Sequence, residues 1–123
     1  MKFAELHSDA RGTVNILTED LGHPEVTIFT TKKGMARGGC IHHQSKEYVC
    51  VISGKIKYVC PQTTVYLTTG DSFTIPKSTP HYFYSVTDSV VAEWGANEEE
   101  KKEKHLEYRK IVEHINTGKI TCE

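Results

Sequence analysis

The sequence predicts an all-β fold, a sandwich or a barrel, followed by one C-terminal α-helix. Between residues 25 and 94, short segments rich in Val, Ile, Thr, Tyr and Phe alternate with glycine, proline and small polar residues, which is typical of successive β-strands. After Gly95 the composition changes, because Asn97 and three following glutamates combine a helix N-cap with an acidic first turn. These two observations define the predicted fold class.

Eight strands are predicted in the β region. Ser53-Gly54 and Thr69-Gly70-Asp71 are turn signals between neighbouring strands. The stretch up to His23 lacks the alternating pattern, so we expect it to be irregular, although residues 14–17 could add an edge strand. The eight predicted strands cover residues 26–30, 37–41, 48–52, 55–60, 64–67, 72–75, 81–85 and 90–94.

The predicted helical segment covers about residues 97–117 and ends at Asn116-Thr117-Gly118. It carries a partial apolar stripe, for which we expect packing on the chain's own barrel, with a dimer contact as the alternative. The stripe consists of Leu106, Ile111, Val112 and Ile115. We expect residues 1–123 to form a single domain, with the barrel over about 12–95.

The charge balance limits the classes of partner. Fifteen basic and sixteen acidic residues give a formal charge of −1, so the bulk attraction that nucleic acids and anionic membranes exploit is missing. We therefore expect a small-molecule ligand, and no nucleic acid or membrane partner. The N-terminus has no hydrophobic signal core and no apolar run is long enough to cross a bilayer, so we expect a cytoplasmic protein.

Four polar or thiol side chains are candidates for one shared site. Cys40 and His42 are two residues apart in a predicted strand, so both can point into a barrel. Glu47 opens the next strand and can return to the same face, and His81 begins another inward-facing run that includes Phe83. Three polar donors converging in a small barrel would be costly to bury without a function.

The spacing of these residues resembles the two motifs of the cupin superfamily. The first motif is H-x-H, three or four residues, Glu, six residues and Gly, and the second is Gly, five residues, P-x-G, two residues and His. Cysteine replaces the first histidine here, and Ser78 replaces the glycine of the second motif. The matching positions are Cys40, His42, Glu47 and Gly54 in the first motif and Gly70, Pro76 and His81 in the second.

The resemblance implies a small jelly-roll barrel with a divalent metal inside it. Carried over residue by residue, the ligands would be Cys40, His42, Glu47 and His81. A thiolate is softer than an imidazole, so Zn, Fe or Ni is favoured over Mn, unless the cysteine has abolished the metal site. A bulge at Gly38-Gly39 could also turn His43 inward, in place of His42 or beside it.

A narrower resemblance is to the cupins that isomerise or epimerise nucleotide-linked keto-sugars without metal. It rests on Asp9-x-Arg11-Gly12 and on Arg37-Gly38. It implies a histidine base, here His42 or His81, and a cation that stabilises the enolate and grips the diphosphate. Arg37, with Lys32 and Lys33 upstream, could supply that charge.

The leading hypothesis is a cupin that binds a divalent metal and a small polar or carbohydrate-like ligand, with metal-assisted catalysis as an extension. The alternatives are a metal-independent sugar-nucleotide isomerase or epimerase and a non-catalytic binding module. If the protein is an enzyme, we expect His42 and His81 as the catalytic candidates. Arg37, Tyr48 and Phe83 are the residues expected to contact the ligand. We also expect a homodimer, because sheet edges and the terminal helix would permit one.

Overall fold

The computed structural model describes residues 2–18, 26–95 and 102–120. Most of this part of the chain is β-strand, and one helix follows, so the predicted fold class is confirmed. The elements are β1 (Lys2–Asp9), β2 (Gly12–Thr18), β3 (Val26–Thr31), β4 (Ala36–Ile41), β5 (Glu47–Ser53), β6 (Lys55–Cys60), β7 (Thr63–Thr68), β8 (Ser72–Ile75), β9 (His81–Ser85), β10 (Ser89–Trp94), β11 (Glu103–Lys104) and α1 (Leu106–Asn116).

The strands form two antiparallel sheets. One has six strands in the order β1-β2-β3-β10-β5-β8, and the other has five in the order β11-β4-β9-β6-β7. Strands that are distant in sequence become neighbours, because β3 pairs with β10 and β4 pairs with β9. This interleaving of early and late strands is the pattern of a small jelly-roll.

The main apolar core is built by alternating residues of both sheets. Along β5, Val49 and Val51 point inward and are fully buried, and along β6, Ile56 and Tyr58 do the same. Side chains from β7, β8, β9 and β10 complete the cluster. Period-two alternation is what places one face of each strand against the opposite sheet.

Helix α1 packs on the outer face of the five-stranded sheet. Val112 and Ile115 are buried against Ala36 and Tyr82, so the apolar stripe contacts the chain's own barrel. His105 is the N-cap, and its side chain accepts a hydrogen bond from the backbone N–H of Tyr108. Leu106 departs from the predicted stripe, since 78% of its surface is exposed. Within the described ranges, no helix has the length and apolar character needed to span a bilayer.

Two boundaries differ from the prediction. The helix does not include residues 102–105, because Glu103 and Lys104 form β11 beside β4, and the predicted N-cap Asn97 lies outside the described residues. The N-terminal stretch is not irregular, because β1 and β2 form an antiparallel hairpin whose second strand joins β3. Strand structure therefore starts at Lys2, well before the predicted barrel start at residue 12.

Candidate functional site

A bulge in β4 orients the first candidate residues. Gly38 and Gly39 have φ values of 123° and 94°, a region that favours glycine. Gly38 pairs with Tyr82 and Cys40 pairs with His81, so Gly39 is the extra residue on the bulged strand. Directly paired residues lie on the same face of a sheet, and Cys40 therefore shares the inner face with His81.

Three strand ends bring His42, Glu47 and His81 together between the two sheets. His42 follows the end of β4, Glu47 begins β5, and His81 begins β9. Oε1 of Glu47 lies 3.2 Å from Nε2 of His42 and 3.1 Å from Nε2 of His81. All three residues are buried, with 5–7% of their surface exposed. We call these three residues the His–Glu–His cluster.

The surroundings of His81 favour its protonated form. Nδ1 of His81 lies 2.9 Å from the carbonyl oxygen of Thr79, which can only accept a hydrogen bond. Nε2 faces the carboxylate of Glu47, so both ring nitrogens face acceptors and both must carry hydrogen to satisfy them. His81 is therefore placed to act as an imidazolium.

The electrostatics of the pair agree with this geometry. Burial opposes charge on both groups, but the hydrogen bond and the opposite charge of the partner outweigh it. The pKa of the Glu47 carboxyl is lowered and the pKa of the His81 imidazole is raised. Glu47 and His81 thus form a buried ion pair near neutral pH.

The cluster lies in a cavity of about 230 Å³ inside the barrel. Cys40, Arg37 and Phe83 also line this cavity. Arg37 is 5% exposed, and its Nε donates to Oγ1 of Thr31 while Nη2 donates to the carbonyl oxygen of Thr30. Burial lowers the pKa of Arg37 only to about 10, so it remains a fixed cation in the cavity wall.

Tyr58 and Glu93 form a second polar pair in the cavity, which the sequence reasoning did not identify. The hydroxyl of Tyr58 donates to Oε1 of Glu93 at 2.8 Å. Burial, together with the charge of Glu47, raises the pKa of Glu93 to about 7. The available signal was the alternation in β10, where Glu93 is two residues after the fully buried Val91.

Some predicted residues lie outside the cavity. Tyr48 is 40% exposed and stacks on Trp94, because it follows the inward-facing Glu47 in β5 and must point outward. His43 also faces outward, and its ring nitrogens contact Oγ of Ser78 at 2.9 Å and Oε2 of Glu103 at 2.8 Å. His42, and not His43, therefore accompanies Glu47. Lys32 and Lys33 do not line the cavity.

The residues do not fit a resident metal ion as they are arranged. Within residues 2–18, 26–95 and 102–120, no three or more His, Cys, Asp and Glu side chains are placed to hold one. Nε2 of His42 and Nε2 of His81 both lie against the same oxygen, Oε1 of Glu47. The contact of Nδ1 of His81 with the carbonyl oxygen of Thr79 is one that metal-binding histidines also make, so the arrangement of the Nε2 atoms, and not this contact, is what departs from a metal site.

The fold and the polar cavity define a small antiparallel jelly-roll with a polar cavity inside the barrel. The family model described as "Cupin domain" matches residues 27–95, which is more than half of the chain. The protein therefore belongs to the cupin family.

Three similar proteins illustrate the range of this family. The chain is 31% identical over 103 residues to the UDP-2-acetamido-2,6-beta-L-arabino-hexul-4-ose reductase of Pseudomonas aeruginosa, covering 76% of this chain and 27% of the reductase. A sugar phosphate isomerase of the cupin superfamily from Silicibacter pomeroyi superposes with a TM-score of 0.63 at 20% identity, covering 74% of this chain and 64% of that chain. Oxalate decarboxylase of Bacillus subtilis, which has Mn(II) centres, superposes with a TM-score of 0.69 at 18% identity, covering 85% of this chain and 30% of that chain.

These comparisons differ in what they cover. The chain spans about a quarter of the length of the curated reductase that it matches. The two structural neighbours share the fold at low identity, and they include both a sugar isomerase and a metal enzyme.

Proposed function

We propose that the cavity binds a sugar in its keto form and that His42 and His81 move a proton on the carbon next to the carbonyl. The single observation that carries this proposal is the His–Glu–His cluster, in which a buried carboxylate lies within 3.2 Å of two imidazoles inside an accessible cavity. The names of the similar proteins support the substrate class, because one acts on a UDP-linked hexul-4-ose and another is a sugar phosphate isomerase.

The chemistry assigns different roles to the two histidines. With Nδ1 of His81 on the carbonyl oxygen of Thr79, its Nε2–H turns from Glu47 toward the carbonyl oxygen of the bound sugar, and His42 accepts the proton from the adjacent carbon. The electrons of the broken C–H bond form the C=C bond of an enol, and the oxygen takes the proton offered by His81. Where the adjacent carbon bears a hydroxyl, the intermediate is an enediol: a proton added to the former carbonyl carbon, with loss of the proton of that hydroxyl to His81 or water, moves the carbonyl and isomerises the sugar. A proton added to the original carbon from the opposite face, with return of the enol O–H proton to His81, restores the carbonyl and epimerises the sugar.

The other cavity residues support the charge that develops in this reaction. Glu47 stabilises the imidazolium, and its own ionisation is favoured by the same contact. Arg37 is held by two hydrogen bonds, so its positive charge is fixed before the substrate enters. Preorganised charge of this kind stabilises an enolate without the cost of reorienting solvent.

Deuterium exchange tests the proposal directly. The protein is incubated in D2O with a UDP-linked 4-keto-hexose, and proton NMR follows the signals of the hydrogens next to the carbonyl. We expect these signals to disappear faster than in buffer alone. The rate should fall by about 100-fold or more in His42→Gln and in His81→Gln, because one group of the acid–base pair is removed.

His43→Gln is the matched control for this experiment. It is the residue next to His42, but its ring points outward and is 53% exposed, so exchange should proceed as in the wild type. Exchange no faster than in buffer, or equal rates in wild type and His42→Gln, would overturn the proposal. Binding of the sugar without exchange would instead support a non-catalytic binding module.

A metal centre is the second candidate function, and it rests on the types of donor in the cavity, not on their present arrangement. Two imidazoles and a carboxylate are joined in the cavity by the thiol of Cys40, which lies on the same sheet face as His81. A site with a thiolate would take Zn, Fe or Ni in preference to Mn. Binding would require Glu47 and the imidazoles to turn from one another toward the ion.

Metal analysis separates the two candidates. Under the second candidate, protein purified without chelator contains about one metal ion per chain, and Glu47→Ala and His81→Ala lose it. Under the first, deuterium exchange survives dialysis against EDTA. Exchange that is lost on dialysis and restored by Zn²⁺ would favour the metal centre.

A further inference from the structure

A second, larger cavity lies beside the barrel cavity. It is a groove of about 660 Å³ between the turn that follows β1 and one face of α1. Arg11, from that turn, and Arg109, from α1, line the groove, and the same two arginines line the barrel cavity. They therefore stand at the junction of the two cavities. We refer to the larger cavity as the hairpin–helix groove.

The sizes of the cavities indicate how a ligand could use both. About 230 Å³ inside the barrel has room for one sugar ring, whereas the groove is in the size range of pockets that hold larger small molecules. A sugar that carries a large substituent and places its ring at the His–Glu–His cluster must extend its substituent past the two arginines.

Arg109 lies against the β4 bulge at this junction. Gly39 in the β4 bulge leaves the space that the arginine uses, because a Cβ there would come within 3.0 Å of Cγ and Cδ of Arg109. No acidic side chain in the described part of the chain forms an ion pair with its guanidinium, although Glu113 lines the same groove. The alkyl chain thus lies against Gly39, and because Arg109 is exposed a ligand in the groove can reach its charge.

Arg11 is held differently. Its Nε and Nη2 donate to the carboxylate of Asp9 at 2.7–3.2 Å, which fixes the plane of the guanidinium and leaves Nη1 outside that pair. Lys102 at the barrel cavity and Lys104 at the groove add positive charge on either side of the junction. A group that bridges the arginines would therefore carry negative charge and several acceptor oxygens.

Part of the groove wall is apolar. Met35, Leu106 and Val112 contribute to it. Leu106 is 78% exposed and lies off the helix face that packs on the barrel, and a flat ring bound in the groove would cover it. Cations and apolar side chains in one groove match a diphosphate joined to a nucleoside.

We propose that the hairpin–helix groove binds the nucleoside diphosphate to which the sugar is attached, with Arg11 and Arg109 holding the phosphates. This inference rests on the proposed function for the identity of the sugar end. In this proposal Arg11 and Arg109 contact the diphosphate. The sequence had suggested Arg37, Lys32 and Lys33 for that role. Arg37 is committed to Thr31 and Thr30 inside the barrel, and neither lysine lines the groove.

Calorimetric titration with UDP and with dTDP, without any sugar, tests the groove alone. We expect the wild type to bind at least one of them, and Arg109→Gln to bind it about 10- to 100-fold more weakly, since a charge-assisted contact to phosphate is lost. Lys110→Gln is the matched control, because Lys110 is the next residue on the exposed helix surface and does not line the groove. Uridine and thymidine should bind much more weakly than their diphosphates.

Two results would overturn the inference: no binding of UDP or dTDP at millimolar concentration, or equal affinity in wild type and Arg109→Gln. The affinity of Arg11→Gln for the same diphosphates tests the other arginine at the junction and should also be lower than that of the wild type. Thermal unfolding of each variant checks that it is folded. His42→Gln should bind the diphosphates like the wild type. Diphosphate binding without deuterium exchange would therefore reject only the proposed reaction, whereas exchange on a free keto-sugar without diphosphate binding would reject only the groove.

Discussion

Glu93 is a carboxyl group whose environment makes it sensitive to pH near neutrality. It faces the cavity from β10, accepts a hydrogen bond from Tyr58, and has a pKa of about 7 because of burial and the nearby charge of Glu47. The ordinary value for a glutamate is 4.5. The folded protein therefore binds a proton at Glu93 over a pH range in which the unfolded chain has lost it.

This difference sets the sign of a stability effect. The stabilising contribution of the protonated Glu93 is fully present below its unfolded pKa and is lost as the pH rises through about 7. Glu93→Gln should remove this contribution to the pH dependence, so its melting temperature should fall less than that of the wild type between pH 5 and pH 8. Thermal unfolding followed by circular dichroism across this range measures the effect.

Glu113→Gln is the control for that measurement, since it changes an exposed glutamate on α1 in the same way. It should keep the pH dependence of the wild type. Identical slopes for Glu93→Gln and wild type would show that Glu93 titrates normally in the folded state.

At the scale of elements, one side chain fastens α1 to the barrel. Oδ1 of Asn116 accepts a hydrogen bond from the backbone N–H of Ala36 at 2.7 Å, and its Nδ2 donates to the carbonyl oxygen of Ala36 at 3.0 Å. Ala36 is fully buried in β4, so its backbone groups would otherwise lack these partners.

Asn116→Ala should therefore destabilise the protein. Two hydrogen bonds to a buried backbone are lost, and we expect a decrease of about 1–3 kcal/mol in the free energy of unfolding, or roughly 4–12 °C in Tm. Lys110→Ala, on the exposed surface of the same helix, should change Tm little. An unchanged Tm in Asn116→Ala would mean that apolar packing alone holds the helix.

The strands show what the sequence could and could not predict. The eight predicted strands are all present, because period-two alternation and turn glycines are local signals. Strand β1 was missed, because its side chains are exposed from Phe3 to Asp9 and carry no alternation. The start of the helix was also misjudged, since His105 is not a common N-cap residue and β11 comes before it.

The candidate site was also predictable only in part. His42, Glu47 and His81 lie within recognisable spacings at the ends of strands, and the structure brings them together. The position of Arg109 depends on how α1 packs across β4 and on the space left by Gly39. No local sequence pattern indicates how distant elements pack on one another. The position of Arg109 at the cavity could therefore not be predicted from the sequence.

At the scale of the whole molecule, one edge of the six-stranded sheet has no partner strand within the described residues and could join two copies. β1 is the outermost strand of the six-stranded sheet, and Phe3 and Leu6 on it are 63% and 60% exposed. Exposed apolar side chains on an open edge favour pairing with an identical strand. We propose a homodimer through β1.

Light scattering measures this association. The expected mass is twice 13.9 kDa. Leu6→Lys should shift it toward that of a single chain, because an edge charge opposes strand pairing. Lys55→Glu, a charge change on β6 away from that edge, should leave the mass unchanged. A mass near 13.9 kDa at every concentration would contradict the dimer.

Arg11 and Arg109 line the same two cavities, and this has a consequence for the order in which the site forms during protein synthesis. The two residues flank almost the whole barrel in sequence, yet they border the same opening. During translation the hairpin emerges before α1, and the opening stays incomplete until α1 has left the ribosome and docked. All the described strands of the barrel are therefore synthesised before this opening can form.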